Sequence, residues 1–199
     1  VSSNLRIMAN DALLNEIADV RLGHPFRGAV PQVEGGSARV VQIRDLSRHG
    51  LRDCDALLRT ELEGRKDPDW LKDEDVLFVA KGSNAYAAPV LRAPERTVCS
   101  QHIYVVRVKE PGYVLPAFLA WQLNQPPAQR YLRQSAEGSH QLSVRRSVLD
   151  ATQIRIPPLE QQRVVVDLER LARAEREAMQ SLIKNREMEL AILAERLLA

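Results

Sequence analysis

The chain has 199 residues, with 28 Lys+Arg against 26 Asp+Glu and a formal net charge of +2. That near balance excludes a protein that coats nucleic acid by charge alone and leaves only a local basic patch for such binding. The two cysteines, Cys54 and Cys99, form no Cys-x-x-Cys pair or Cys/His cluster, which argues against a zinc site or a disulfide scaffold. No apolar run approaches the roughly 18 residues of a membrane span, and the first residues lack the regions of a signal peptide, so the expected location is cytoplasmic with no membrane association.

Taken in order, the segment Asp11 to Ile17 reads as a short helix capped by Asn10 or Asp11. Gly23 to Gly28 breaks it, and Glu34-Gly35-Gly36-Ser37 marks a turn before an apolar run of strand length, Ala38 to Ile43. The strongest strand is Asp75 to Ala80, followed by the polar stretch Lys81-Gly82-Ser83-Asn84. Ile103 to Val108 is a second buried strand by its β-branched content, and both are expected in the central sheet. Val76, Phe78, Ile103, Val105 and Leu119 are the expected core. Pro116 to Leu123 and Pro127 to Arg133 each open with proline and carry helical spacing. After the polar turn Glu137 to Gln141, a helical turn over Ser143 to Leu149 and a strand over Gln153 to Ile156 lead into Pro157-Pro158.

From Glu160 to Leu198 the chain contains no Gly or Pro, so one helix of about 39 residues, roughly 58 Å long, begins after the prolines. Apolar residues recur along it at Leu168, Ala172, Met179, Leu182, Leu190, Leu193 and Leu197. Glu175 and Arg186 fill the intervening places, giving a coiled-coil seam with one stutter. Leu171, Ala178 and Ile183 widen the stripe. Two arrangements fit this pattern: the helix folds back on its own domain, or it pairs with a helix of another chain. The resulting organisation is a domain over residues 1–157 and a helix for dimerisation and spacing over 158–199.

Two catalytic readings fail on their residues. Asn124-Gln125-Pro126-Pro127 has a glutamine between the asparagine and the prolines, and Ala128 where an amino-methyltransferase needs a stacking aromatic. Asp69 and Lys81 are spaced like a metal-dependent nuclease core, but Val79 stands where a second carboxylate must hold the ion. His24, His49, His102 and His140 follow no recognisable triad order. The chain is expected to be non-catalytic, with no cofactor and no metal.

The pattern as a whole resembles the specificity (S) subunits of type I restriction-modification systems. The resemblance is carried by Glu16-Ile17-Ala18-Asp19-Val20 with Gly23, Asp75-Val76-Leu77-Phe78 with Lys81-Gly82, and Pro116-Ala117-Phe118-Leu119. Its most specific part is the junction from Glu137-Gly138-Ser139 through Leu142 and Leu149 to Ile154-Arg155-Ile156-Pro157-Pro158-Leu159-Glu160-Gln161-Gln162. Full-length members carry two recognition domains and two helices, so this chain resembles a half-length form with one of each. The resemblance implies an α/β, mixed α+β, target recognition domain followed by a long C-terminal coiled-coil helix. It also implies that the protein reads double-stranded DNA for a separate type I DNA methyltransferase subunit and sometimes a restriction subunit.

Base reading needs Arg or Lys for guanine and Asn or Gln for adenine, with other cations and hydroxyls on phosphate. Lys81, Ser83 and Asn84 supply one such set, on a loop after a buried strand. Ser139, His140 and Gln141 with Arg145 and Arg146 supply another, in a stretch where five arginines between Ala128 and Arg155 face only Glu137 and Asp150. Arg44, just past a strand, is a third candidate. Tyr86 is expected to pack rather than bind. Leu168, Leu171, Met179, Leu182, Leu190, Leu193 and Leu197 are the expected dimerisation residues of a homodimer with antiparallel helices. The competing reading is a structural coiled-coil adaptor without sequence-specific DNA binding.

Overall fold

The computed structural model describes residues 10–62, 68–82, 85–136 and 142–198. The first element is a strand, β1 (Asn10–Leu13), and only Leu14–Ile17 is helical (α1). The helix expected from Asp11 is therefore half strand. Asn10 to Leu13 pair antiparallel with Ile156 to Gln153, and this ladder from the far end of the chain overrides the local helical spacing. Glu16 then reaches back to accept the Leu13 N–H at 2.7 Å and fixes the start of α1.

Next come β2 (Ala18–Leu22), β3 (Ala38–Val41), a 3-10 turn at Ile43–Asp45, β4 (Leu46–Ser47), β5 (Gly50–Leu51), β6 (Leu58–Thr60) and β7 (Val76–Val79). The strand expected through Ile43 thus stops at Val41, where the Asp45 carboxylate accepts the Gln42 N–H and turns the chain. β8 (Lys81–Gly82), β9 (Tyr86–Pro89), β10 (Thr97–Cys99) and β11 (Ile103–Val108) follow. The main sheet has four antiparallel strands in the order β2-β11-β7-β9, so the two strands expected at its centre are neighbours there. A three-stranded sheet, β10-β3-β6, contains the parallel pair β10 and β3.

β7 is apolar at every position because both faces of the main sheet are covered. Val76 and Phe78 enter one core with Val106, Val108, Leu119, Leu123 and Leu149, while Leu77 and Val79 enter a second with Val41, Leu46, Ile103 and Val105. All five residues expected in the core are buried.

Two proline-led helices, α2 (Pro116–Leu123) and α3 (Pro126–Gln134), pack on the first core. Asn124, at the end of α2, accepts the Ala87 N–H at 2.9 Å and donates to its C=O at 2.8 Å, so one side chain closes part of the β9 edge. The expected helical turn from Ser143 begins later. Leu142–Ser143 is a strand (β12) paired with β8, and α4 spans Arg146–Asp150. β13 (Gln153–Ile156) leads into α5 (Leu159–Leu198), a helix of 40 residues, about 60 Å long.

The chain divides into two compact units, one ending at Gln162 and one running from Arg163. Within the first, the fully buried Gln162 side chain accepts the Leu115 N–H at 2.9 Å. It donates to the carbonyls of Tyr113 at 3.0 Å and Pro157 at 2.8 Å. The second unit is helical and solvent-facing, with Leu168, Leu171, Met179, Leu182, Ile183, Leu190, Leu193 and Leu197 all more than half exposed. Ion pairs such as Arg173–Glu177 and Arg186–Glu189 lie along the same helix.

Candidate nucleic-acid interface

Strand direction gathers the polar loops at one end of the main sheet. By register, Leu22 lies opposite Tyr104, Ile103 opposite Val79, and Val79 opposite Tyr86. The end of β2, the start of β11, the end of β7 and the start of β9 therefore share one edge. β3 and β10 run parallel with Val41 beside Cys99, so the segments that follow them, Gln42 to Arg44 and Ser100 to His102, also emerge side by side.

Between those segments lies a cleft of about 270 Å³, whose lining includes Phe26, Val30, Arg44, Gln101 and His102. Arg44 is exposed, and its guanidinium stands 3.7 Å from the Asp45 carboxylate. Burial and then the nearby Lys81 ammonium hold the His102 imidazole below its ordinary pKa, which links the cleft to β8. Burial raises the Tyr86 hydroxyl pKa, and the Arg52 and Arg48 guanidinium groups pull it part of the way back. Tyr86 packs against the second core, and two further cations are near enough for their charge to reach it.

Lys81 was expected in a loop but stands in a short strand, half-buried, because the β8 backbone pairs with β12. In that ladder Lys81 lies opposite Ser143, and the Val144 N–H donates to the Ala80 carbonyl at 2.9 Å. Arg145 follows as the exposed first cap of α4. Arg146 is exposed and pairs with Asp150 at 3.3 Å, one helical turn on. The fold thus joins the two polar segments that the sequence offers separately, while Arg44 lies across the cleft from Gln101 and His102. Ser83, Asn84, Ser139, His140 and Gln141 lie outside the described residues.

Sequence reasoning passed over Gln101, Arg48 and Arg52, and weighed His102 only as a member of a catalytic triad. A signal for Gln101 and His102 was present: three polar residues held between the apolar runs ending at Cys99 and starting at Ile103 force a tight turn. Arg48, in the turn of the small β4-β5 hairpin, and Arg52, just after it, carry no comparable mark.

Asp69, the carboxylate of the rejected nuclease spacing, accepts from Arg21 Nη1 at 3.2 Å and from Arg107 Nη1 at 3.4 Å. Arg107 also grips the buried Asp75 through two bonds of 2.7 Å, and these bonds raise the Arg107 pKa. Asp69 and Asp75 are therefore tied into structure. Burial pushes the Cys99 thiol far up, keeping it protonated, and Cys54 is an exposed free thiol. Among the described residues, no group of three or more His, Cys, Asp or Glu could hold a metal ion, and no helix is long and apolar enough to cross a membrane.

This arrangement has known counterparts. The chain superposes on the type I restriction-modification S subunit from M. genitalium with a TM-score of 0.61 at 16% identity, over 92% of this chain and 44% of that one. It matches a chain from a structure of type I R-M complex assembly and conformational transition with a TM-score of 0.65 at 16% identity, over 96% and 45%. The HsdS subunit from Thermoanaerobacter tengcongensis gives 0.59 at 14% identity, over 87% and 39%. The fold, a mixed α/β domain followed by a long helix, is that of these S subunits, and the chain spans less than half their length. No curated protein matches it. The model of the type I restriction modification DNA specificity domain matches residues 58–184, and the chain belongs to that family.

Proposed function

We propose that this chain reads a DNA sequence on behalf of a separate type I DNA methyltransferase subunit, and where present a restriction subunit, and catalyses nothing itself. Residues 1–157 act as the recognition domain and residues 158–199 as the helix that pairs and spaces two such domains. The observation that carries the reading is the convergence at one end of the main sheet. Arg44 lines a cleft with the hydrogen-bonding side chains Gln101 and His102, the Lys81 charge reaches His102, and the β8–β12 ladder sets Lys81 opposite Ser143, two residues before Arg145. Such a surface has donors for phosphate and side chains able to tell base edges apart. Arg146 joins the phosphate contacts, and Ser83, Asn84, Ser139, His140 and Gln141 complete the reading set.

The test is a selection from randomised duplex DNA followed by titration of the selected and scrambled duplexes over a range of salt. A reader retains preference for the selected site as salt rises, while binding to the scrambled duplex falls steeply. Equal affinity for both duplexes would overturn the reading and leave a coiled-coil adaptor. Incubation with DNA, S-adenosylmethionine and magnesium tests the non-catalytic part, since methylation or cleavage by the pure chain would refute it.

The helix supports the second half of the proposal. Its apolar side chains stand in solvent along most of its length. The proposed assembly is a homodimer with antiparallel helices.

A further inference from the structure

The turn Ser100 to Ile103 is held by backbone hydrogen bonds from two sides. It is closed by the Ile103 N–H donating to the Ser100 carbonyl at 3.1 Å, and it is tied to β3 by the Ser100 N–H donating to the Val41 carbonyl at 2.9 Å. From the other side, the His24 N–H donates to Cys99 at 2.7 Å and the Gly23 N–H to Ile103 at 3.0 Å. Cys99, Ser100 and Ile103 are buried. Gln101 sits at the second position of this turn, half-buried, on the lining of the cleft that also holds Phe26, Arg44 and His102.

Its amide is unused. The amides of Gln122, Gln125, Gln129 and Gln162 each donate to a backbone carbonyl and serve the fold. Gln101 makes no side-chain hydrogen bond among the described residues, although its backbone is held from two sides. On a fixed backbone only the side-chain rotamers remain to be ordered on binding, and a planar donor–acceptor pair matches the N6 amino group and N7 of adenine in the major groove. Arg44, by contrast, is long, exposed and already near Asp45, which suits a phosphate contact.

Resting on the DNA-reading function proposed above, we infer that Gln101 is a specificity-determining residue that reads one adenine of the target through its side-chain amide, with the Ser100–Ile103 turn as its fixed mount. The test uses the full chain and the duplex that the wild type selects from a random pool, with each base pair then changed singly. Gln101→Ala loses about tenfold or more of the discrimination at one A·T pair and keeps it at the others, with its salt dependence unchanged because no phosphate contact is lost. Gln101→Glu, which can only accept, shifts the preference at that same pair toward C·G. Lys81→Ala is the contrast, weakening all duplexes alike and reducing the salt slope. Circular dichroism of the variants should match the wild type, since the amide makes no hydrogen bond among the described residues.

A wild type that selects a sequence while both Gln101 variants discriminate as it does at every position would overturn the inference and leave the reading function standing. A wild type that selects no sequence would overturn both.

Discussion

The Gln162 side chain and the Leu115 backbone, 47 positions apart, are joined by a 2.9 Å hydrogen bond that connects the start of the long helix to the cap of α2. The same amide holds the Tyr113 and Pro157 carbonyls, so one buried side chain satisfies one donor and two acceptors that water cannot reach easily. Gln162→Leu keeps the volume and strands all three groups. We expect a loss of about 3 kcal/mol in chemical denaturation, from the cost of leaving buried polar groups unpaired. Gln162→Glu should fare no better, because a carboxylate has no donor for the two carbonyls. A midpoint unchanged in both variants would show that the helix start is held by the prolines alone.

Gly23 is the second test of the scaffold. A Cβ at this position would lie 2.2 Å from the Ser100 carbonyl oxygen and 2.6 Å from that of Cys99, and both are backbone atoms that cannot rotate away. Gly23→Ala must therefore push the end of β2 off the turn that carries Gln101 and His102. The expected destabilisation is about 1–3 kcal/mol, typical of overpacking. Discrimination among DNA sequences should fall more than total affinity does if the proposed phosphate contacts hold, because Arg44, Lys81 and Arg145 are on other elements. Thermal denaturation and duplex titration measure the two effects, and full stability would show that β2 and the turn separate without cost.

Gly23 also marks the limit of what the sequence made legible. Its place at the break after a short helical segment was visible, but its partner, the Ser100 backbone, is 77 positions away. The same holds for Asn10 to Leu13: the local spacing favours helix, and only pairing with Gln153 to Ile156 makes a strand. β7, β11, β13 and the long helix were readable because their signals are local: apolar runs, β-branched residues, and a Gly- and Pro-free stretch after two prolines. The candidate surface was half readable for the same reason. Lys81 and Arg145 announce themselves by charge, but that Lys81 stands opposite Ser143 follows from a ladder between segments 62 positions apart. Gln101 was passed over, and His102 weighed only for a triad, because polar residues between strands look like any turn until their neighbours in space are known.

His102 gives a pH-dependent readout of that surface. Its pKa is lowered from the ordinary 6.5, first by burial and then by Lys81. The folded state therefore binds this proton less readily than the unfolded chain. Its contribution to stability is complete above pH 6.5 and is lost as pH falls through the lower folded value. In Lys81→Ala the second cause disappears and the first remains, so the midpoint should rise but stay below 6.5. Ring-proton NMR across pH 4 to about 8 resolves this change. An identical midpoint in wild type and variant would separate Lys81 from the cleft.

The last expectation concerns assembly. Leu168, Met179, Leu182, Leu190, Leu193 and Leu197 form a stripe along about 44 Å of α5, and each is more than half exposed. A stripe of that length in water favours association, and its three-and-four spacing is that of a helix-to-helix seam. If the partner helix belongs to a second copy and runs antiparallel, the pair has two-fold symmetry, and the DNA it reads must mirror that symmetry. The target is then an interrupted palindrome whose half-sites are separated by the helices. Leu182→Glu with Leu193→Glu places four charges in the seam of the pair. Light scattering at micromolar concentration should give a dimer for the wild type and a monomer for the double variant, with the circular dichroism of the recognition domain retained. On duplexes carrying one or two half-sites, the wild type should prefer two and the variant should bind both alike. A monomeric wild type would refute the homodimer and assign the second recognition domain to a different polypeptide segment, while a dimer that survives both glutamates would move the interface off this seam.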